Sequence, residues 1–299
     1  MDTLLNYLRE LKVEIRTSSE VQNIVRKDNM LEKIVLSDNT EIIAKNFIIC
    51  TGGKSFSNTG STGDGYGWAK ELGHTIIEPA PALTSIILKA DFTKDLQGLS
   101  FTDVGIYLLK DRKKIKSTRG DIIFTDNGIS GPAIMDLSRL IAHEKLSAIT
   151  VCIDFFPSLD FDSLDKKLQE DFQKDSNRLF KNCLGGLAPQ RLIAVAARLA
   201  DIGPLKKLNA VKKEERKKLV HILKEFDLQV KALSGFDRAY ITSGGISLEE
   251  IEPASMRSKL IKNLYFAGEL LDLDGPTGGY NLQVCWTSGF VAGDSASLK

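Results

Sequence analysis

The residues best suited to chemistry lie in one stretch near the C-terminus, GELLDLDGPTGGYNLQVCWTSG, residues 268–289. It carries five glycines, three carboxylates and two aromatics. Gly268 and Glu269 close a short apolar run, LYFAGELLD, and Asp272 follows. A carboxylate at a strand end can accept hydrogen bonds from ligand hydroxyls. Thr277, Gly278, Gly279, Tyr280, Asn281 and Leu282 then lead into a helix, marked by Leu282, Trp286 and Phe290 at helical spacing. Backbone amides at such a helix start can face an anion or the electron-rich edge of a heteroaromatic ring. The same turn reads equally as a plain helix entry with Asn281 as its cap. The two readings are compatible, since a cap fixes the geometry of a site. Tyr66, Trp68, Tyr280 and Trp286 could flank a planar ligand, but the helical spacing of Trp68 and Trp286 favours a place in the core.

A second glycine-rich stretch, TGGKSFSNTGSTGDGYGWAKELG, spans residues 51–73. Thr51, Gly52 and Gly53 end an apolar strand over 47–50, and more glycines precede a helix that stops near Gly73. Glycine permits close approach of a backbone to a ligand, but a Gly/Ser-rich stretch can also be a mobile loop. Asp64 could position a substrate amine, but its spacing before GYGWAKEL favours a cap on the following helix. No catalytic base stands out. His74, His143 and His221 read as solvated or structural, and Asp126 receives no proton-transfer role. Four cysteines without a CxxC pair give no zinc site and no disulfide-reductase mechanism.

These segments need elements to position them. Residues 3–11 form an amphipathic helix, 13–17 a strand, and the β-branched runs after them a three-stranded meander with turns at Asp28 and Asp38. Residues 79–153 are strand-rich, broken by a helix inside NGISGPAIMDLSRLIAHE. Residues 161–226 are helical, with Leu164, Leu168 and Phe172 on one face, and the chain then returns to strands. Helix, strand, meander, buried strand and glycine turn is the order found in the second half of a dinucleotide-binding sheet. No GxGxxG fingerprint follows an early strand. The fold expected is therefore α/β: an incomplete two-dinucleotide-binding, Rossmann-like domain interrupted by an inserted β-rich and helical domain. Its boundaries are 1–84 for the first part, 85–235 for the insertion (β-rich 85–158, helical 159–226, returning strand 227–235) and 236–299 for the C-terminal part.

With 42% hydrophobic and 26% charged residues, the chain can bury a sizeable core. Its net charge of +1 gives no argument for a nucleic-acid or membrane partner. The lysine-rich run at 206–226 has leucines and valines at helical spacing, which makes it an amphipathic helix with a solvated face. Scattered cysteines point to a reducing, cytoplasmic setting.

Three motifs in this order, GKSFSNTGSTGDGY, FTDNGISGPAI and GELLDLDGPTGGYNLQVCWTSGFVAG, resemble the bacterial FAD-binding flavoproteins that include aminoacetone oxidase-like enzymes. The resemblance runs along essentially the whole chain. It implies FAD as cofactor, with Gly268, Glu269 and Asp272 near the ribityl–pyrophosphate and residues 277–282 near the pyrimidine edge of the isoalloxazine. It places Thr51, Gly52 and Gly53 on the dinucleotide side. The implied activity is hydride transfer from a small molecule, such as an amine or amino ketone, to the flavin, with NAD(P)H as a further electron donor. Reduction of an activated C=C bond is the competing direction. Such proteins carry GxGxxG upstream of where this sequence starts. A fragment or truncated gene product is thus expected, completed by an N-terminal segment in trans or a homodimer mate. The alternative is a flavin-free remnant acting as an interaction module.

Overall fold

The computed structural model describes residues 2–182 and 185–297; Cys183 of the cysteine reading lies outside them. Helix α1 (Asp2–Glu10) buries none of its residues. Residues 13–17, expected as a strand, are irregular, because no strand among the described residues pairs with them. The meander is present as β1 (Val21–Lys27), β2 (Met30–Leu36) and β3 (Glu41–Ile42), all antiparallel. Asp28 and Asn39 take the left-handed conformation at its two turns.

Strand β4 (Phe47–Ile49) is followed by α2 (Asp64–Glu71) and β5 (Ile76–Ala82). The cap of α2 is Gly63 in the left-handed region, and Asp64 is already inside the helix, so the expected Asp64 cap is not formed. Next come β6 (Ile86–Leu88), α3 (Thr93–Leu96), β7 (Ser100–Lys110), β8 (Lys113–Phe124), β9 (Gly128–Ser130), α4 (Pro132–Leu140) and β10 (Ile149–Asp154). Three helices follow, α5 (Phe161–Lys174), α6 (Gln190–Leu199) and α7 (Lys213–Lys224), and then β11 (Phe226–Leu233).

Strands β10-β11-β6-β9-β8-β7 close into a six-stranded barrel. Asp111 and Arg112, both at positive φ, form the two-residue turn that lets β7 and β8 pair with the right twist. The barrel interior and the faces of α5 to α7 share one apolar core, with Leu164, Leu168 and Phe172 of α5 inside it. Alternation in the sequence gave antiparallel strands; closure was not visible there, since it depends on β7 meeting β10 across a separation of some forty residues.

The remaining strands are β12 (Ile241–Ile246), β13 (Ile251–Glu252), β14 (Arg257–Ser258) and β15 (Leu264–Phe266), before helix α8 (Tyr280–Ser297). Strand β12 pairs with β5, and a four-stranded sheet runs β13-β14-β15-β4. Its β15–β4 pair is parallel, in register Leu264↔Phe47 to Phe266↔Ile49. Helix α8 lies against β15 and β4 through the side of Ser288 and Ala292. Leu282, Trp286 and Phe290 are 68%, 59% and 75% exposed, which corrects the expectation that Trp286 is core. Helical spacing told which side chains share a face, not which face meets the sheet. Trp68 does pack on the core beside β4.

Behind this sheet His74 is buried against Phe266. Ser258 Oγ accepts from the amides of Leu260 (3.0 Å) and Ile261 (2.9 Å), so it donates to His74 Nε2 at 2.9 Å. His74 Nδ1–H then donates to Glu250 Oε2 at 3.1 Å. Burial holds the His74 pKa below its ordinary value, only partly offset by Glu250. The unfolded chain therefore takes up this proton first as the pH falls. Stability is expected to be fully present above about pH 6.5, to decline through the window just below it, and to level off once the folded imidazole is charged. Urea midpoints measured across that range test this; a His74→Gln variant should flatten the step.

Candidate functional site

Because β4 and β15 run parallel, their C-terminal ends open on the same side of the sheet, where open α/β folds place their ligands. The segments beginning at Thr51 and Gly268 both leave from there. Thr242 of β12 knots them together. Its Oγ1 accepts from the amides of Lys54 (2.8 Å) and Ser55 (3.1 Å), and its own amide donates to Glu269 Oε1. Gly53 lies directly against Thr242 and Glu269, with no room for a side chain. Tyr66 of α2 donates its hydroxyl to the Glu269 carbonyl at 3.3 Å. Burial raises the Glu269 pKa, opposed by the Thr242 hydrogen bonds.

The turn into α8 is held from both sides. Asn281 does not cap the helix; it reaches back, accepting from Gly275 N (2.8 Å) and donating to Gly275 O (2.9 Å). Helix α4 grips the turn through two of its side chains. Asp136 accepts from Thr277 N (2.8 Å) and Oγ1 (3.1 Å), and Arg139 donates to Asp274 at 2.8 Å. Ser243 Oγ donates to the other Asp274 oxygen at 2.6 Å and bonds His143 Nε2 at 3.0 Å. Gln283 N donates to Gly279 O at 3.0 Å and closes the first helical turn. The amides of residues 280–282 ahead of it have no intrahelical acceptor.

Between α4, β12 and this turn lies a cleft of about 570 Å³. Its polar edge is formed by Glu269, Thr277, Gly278, Gly279, Asn281 and Cys285. The facing wall is apolar: Leu83, Pro132, Met135 and Ile241, with Tyr240 beside them. Gly278 and Gly279 have φ of 115° and 90°, and the space beside Gly279 is open.

Of the residues singled out in the sequence, Glu269, Thr277, Gly278, Gly279, Asn281 and Leu282 share this cleft. Gly53 and Gly268 flank it, touching Glu269 and lying near Cys285 respectively. Thr51 and Gly52 stay on the loop after β4, where Thr51 Oγ1 lies close to Gly65. Tyr280 folds back over Gly275 and Gly278 rather than into the cleft. Asp272 stands beside Asp274 and His143; its pKa is raised chiefly by burial, with His143 opposing. Sequence reasoning missed Thr242, Ser243, Asp136, Arg139 and Tyr240. The SGG after Thr242 was the one available signal, a glycine pair inside a strand marking close backbone approach.

Comparison with known proteins gives a family and relatives. A family profile described as the HI0933-like protein Rossmann domain matches residues 1–295. The chain is 30% identical over 294 residues to the 3-dehydro-bile acid delta(4,6)-reductase of Clostridium scindens, covering 98% of this chain and 71% of that protein. It is 27% identical over 293 residues to the ribosomal RNA dihydrouridine synthase of Escherichia coli, covering 97% and 70%. The synthase of the same name from Haemophilus influenzae is 28% identical over 290 residues, covering 96% and 69%.

Proposed function

The chain belongs to the HI0933-like protein Rossmann domain family, and from that premise we propose an FAD-dependent oxidoreductase that reduces an activated C=C bond of a small molecule. One observation carries the reading: the glycine turn opening α8, the half-buried Glu269 and an apolar wall from α4 share a single cleft. Free amides at residues 280–282 and open space beside Gly279 fit the pyrimidine edge of an isoalloxazine. Glu269 and Asp272 suit ribityl hydroxyls, and residues 51–53 the dinucleotide side. When bound, FAD would supply the hydride that saturates the C=C bond, with the balancing proton drawn from solvent and NAD(P)H as the reductant of the cofactor. The protein's own part is to hold the turn through Asp136 and Arg139, pack the apolar wall against the substrate, and place charge-stabilising amides at the ring.

The names of the Clostridium and Escherichia relatives both describe saturation of a C=C bond. That shared direction supports reduction over oxidation of an amine or amino ketone. Glu269 is the one carboxylate on the cleft wall, and its Oε1 is already taken by the Thr242 amide. A small substrate is favoured over RNA by the apolar wall of the cleft, Leu83, Pro132, Met135 and Ile241, which offers a charged polymer no partner. The outer edge of β4 has no strand partner among the described residues, and a segment in trans or a homodimer mate lies along it in this reading.

Purified protein mixed with FAD is expected to keep flavin absorbance through gel filtration, and a conjugated enone should reoxidise the dithionite-reduced flavin anaerobically. A folded, colourless protein would instead support the flavin-free interaction module. Bleaching of oxidised flavin by aminoacetone, with no response to enones, would reverse the proposed direction.

A further inference from the structure

Side-chain hydrogen-bonding groups on the cleft wall are few, and nearly all are committed. Thr277 donates its hydroxyl to Asp136. Asn281 is occupied by Gly275 and Pro276, and Glu269 accepts from Thr242. Cys285 is kept a thiol by burial, and a thiol is a weak donor. That leaves Tyr240. Its side chain is 65% exposed, its ring stands edge-on to Phe56 at 6.3 Å, and its hydroxyl has no partner among the described residues. Its backbone is anchored, because Tyr240 N donates to Leu83 O at 3.2 Å and β12 begins at the next residue. The donor therefore rides on a fixed element beside a wall of Leu83, Met135 and Ile241.

With the turn amides assigned to the flavin edge, an apolar wall with one free side-chain donor selects for little polarity in the remaining ligand. Each further polar group entering it would lose water without gaining a partner. We infer that the cleft takes an uncharged, largely apolar carbonyl compound, and that the Tyr240 hydroxyl donates to its carbonyl oxygen. The inference rests on the reductase reading above, in which a carbonyl conjugated to the C=C bond and polarised by this donor accepts hydride more readily. Thr277 and Asn281, held away by Asp136 and Gly275, cannot replace Tyr240 without releasing the flavin-facing turn.

The test is equilibrium binding, by calorimetry, of a 3-oxo-4,6-diene steroid and of the same ring system lacking the 3-oxo group. Both are titrated into wild type and Tyr240→Phe, with and without FAD. The phenylalanine keeps the ring against Phe56, and equal thermal midpoints establish that the fold is unchanged. Tyr240→Phe is expected to weaken the ketone by about three- to tenfold, to abolish the red shift of its dienone absorption, and to leave the deoxy compound unaffected. Equal ketone affinity in the two proteins would overturn the role of Tyr240. Tighter binding of a uridine-containing oligonucleotide than of the ketone would overturn the substrate class. Tyr240-dependent ketone binding by a protein that never retains FAD would sink the flavin reading while leaving this assignment standing.

Discussion

Replacing Gly245 with alanine is expected to destabilise the protein by on the order of 3 kcal/mol or more and to abolish flavin retention. Gly245 has φ of 138°, outside the region that side-chain-bearing residues readily adopt. A Cβ there would sit 2.6 Å from the Leu270 carbonyl oxygen and 2.9 Å from the Leu271 carbonyl carbon. Both obstacles are backbone, so no side-chain rotation relieves them. The backbone that would have to move is the segment between Glu269 and Asp272. It is tied to β12 by the Asp272 N to Ile246 O bond at 3.0 Å. Urea unfolding gives the stability loss, and flavin absorbance after gel filtration gives the functional one. An alanine variant with wild-type stability and full flavin retention would show that this close approach is not needed.

Lys224→Met should cost about 3–5 kcal/mol, although its ammonium bonds none of the cleft residues. The ammonium is buried and has three donors, and the structure provides three acceptors: Asp154 Oδ2 (2.6 Å), Phe156 O (2.8 Å) and Leu159 O (2.5 Å). Asp154, equally buried, keeps only the Phe156 amide at 2.9 Å if the lysine is lost. An unpaired buried carboxylate is the dominant penalty. Adding Asp154→Leu to Lys224→Met removes that charge and should recover part of the loss. The carbonyls of Phe156 and Leu159 remain unsatisfied, so recovery is incomplete. Chemical denaturation of the two variants measures both effects; a double variant no better than the single one would locate the cost in the carbonyls.

Much of this organisation was legible because it is local. Two-residue alternation and turn residues marked the β1–β2–β3 meander, and three-to-four-residue spacing marked Leu164, Leu168 and Phe172 on α5. Glycines at 278 and 279 marked the turn, since few other residues accept those φ values. The polar groups that hold the turn were not legible. Asp136 and Thr277 are 141 positions apart and carry no shared pattern, yet their bond fixes the site.

By itself, then, the sequence determined the local grammar: which runs are strands and helices, and where the backbone must bend. It also placed Glu269 and the α8 turn next to each other along the chain. Tertiary structure decided the rest: closure of the barrel, the turning of Trp286 to the outside, the knot at Thr242 and the freedom of Tyr240. The physical reason is that periodicity reports only contacts within a few residues. Which face of α8 meets the sheet, and which hydroxyl finds no partner, depend on packing between segments that the sequence keeps far apart.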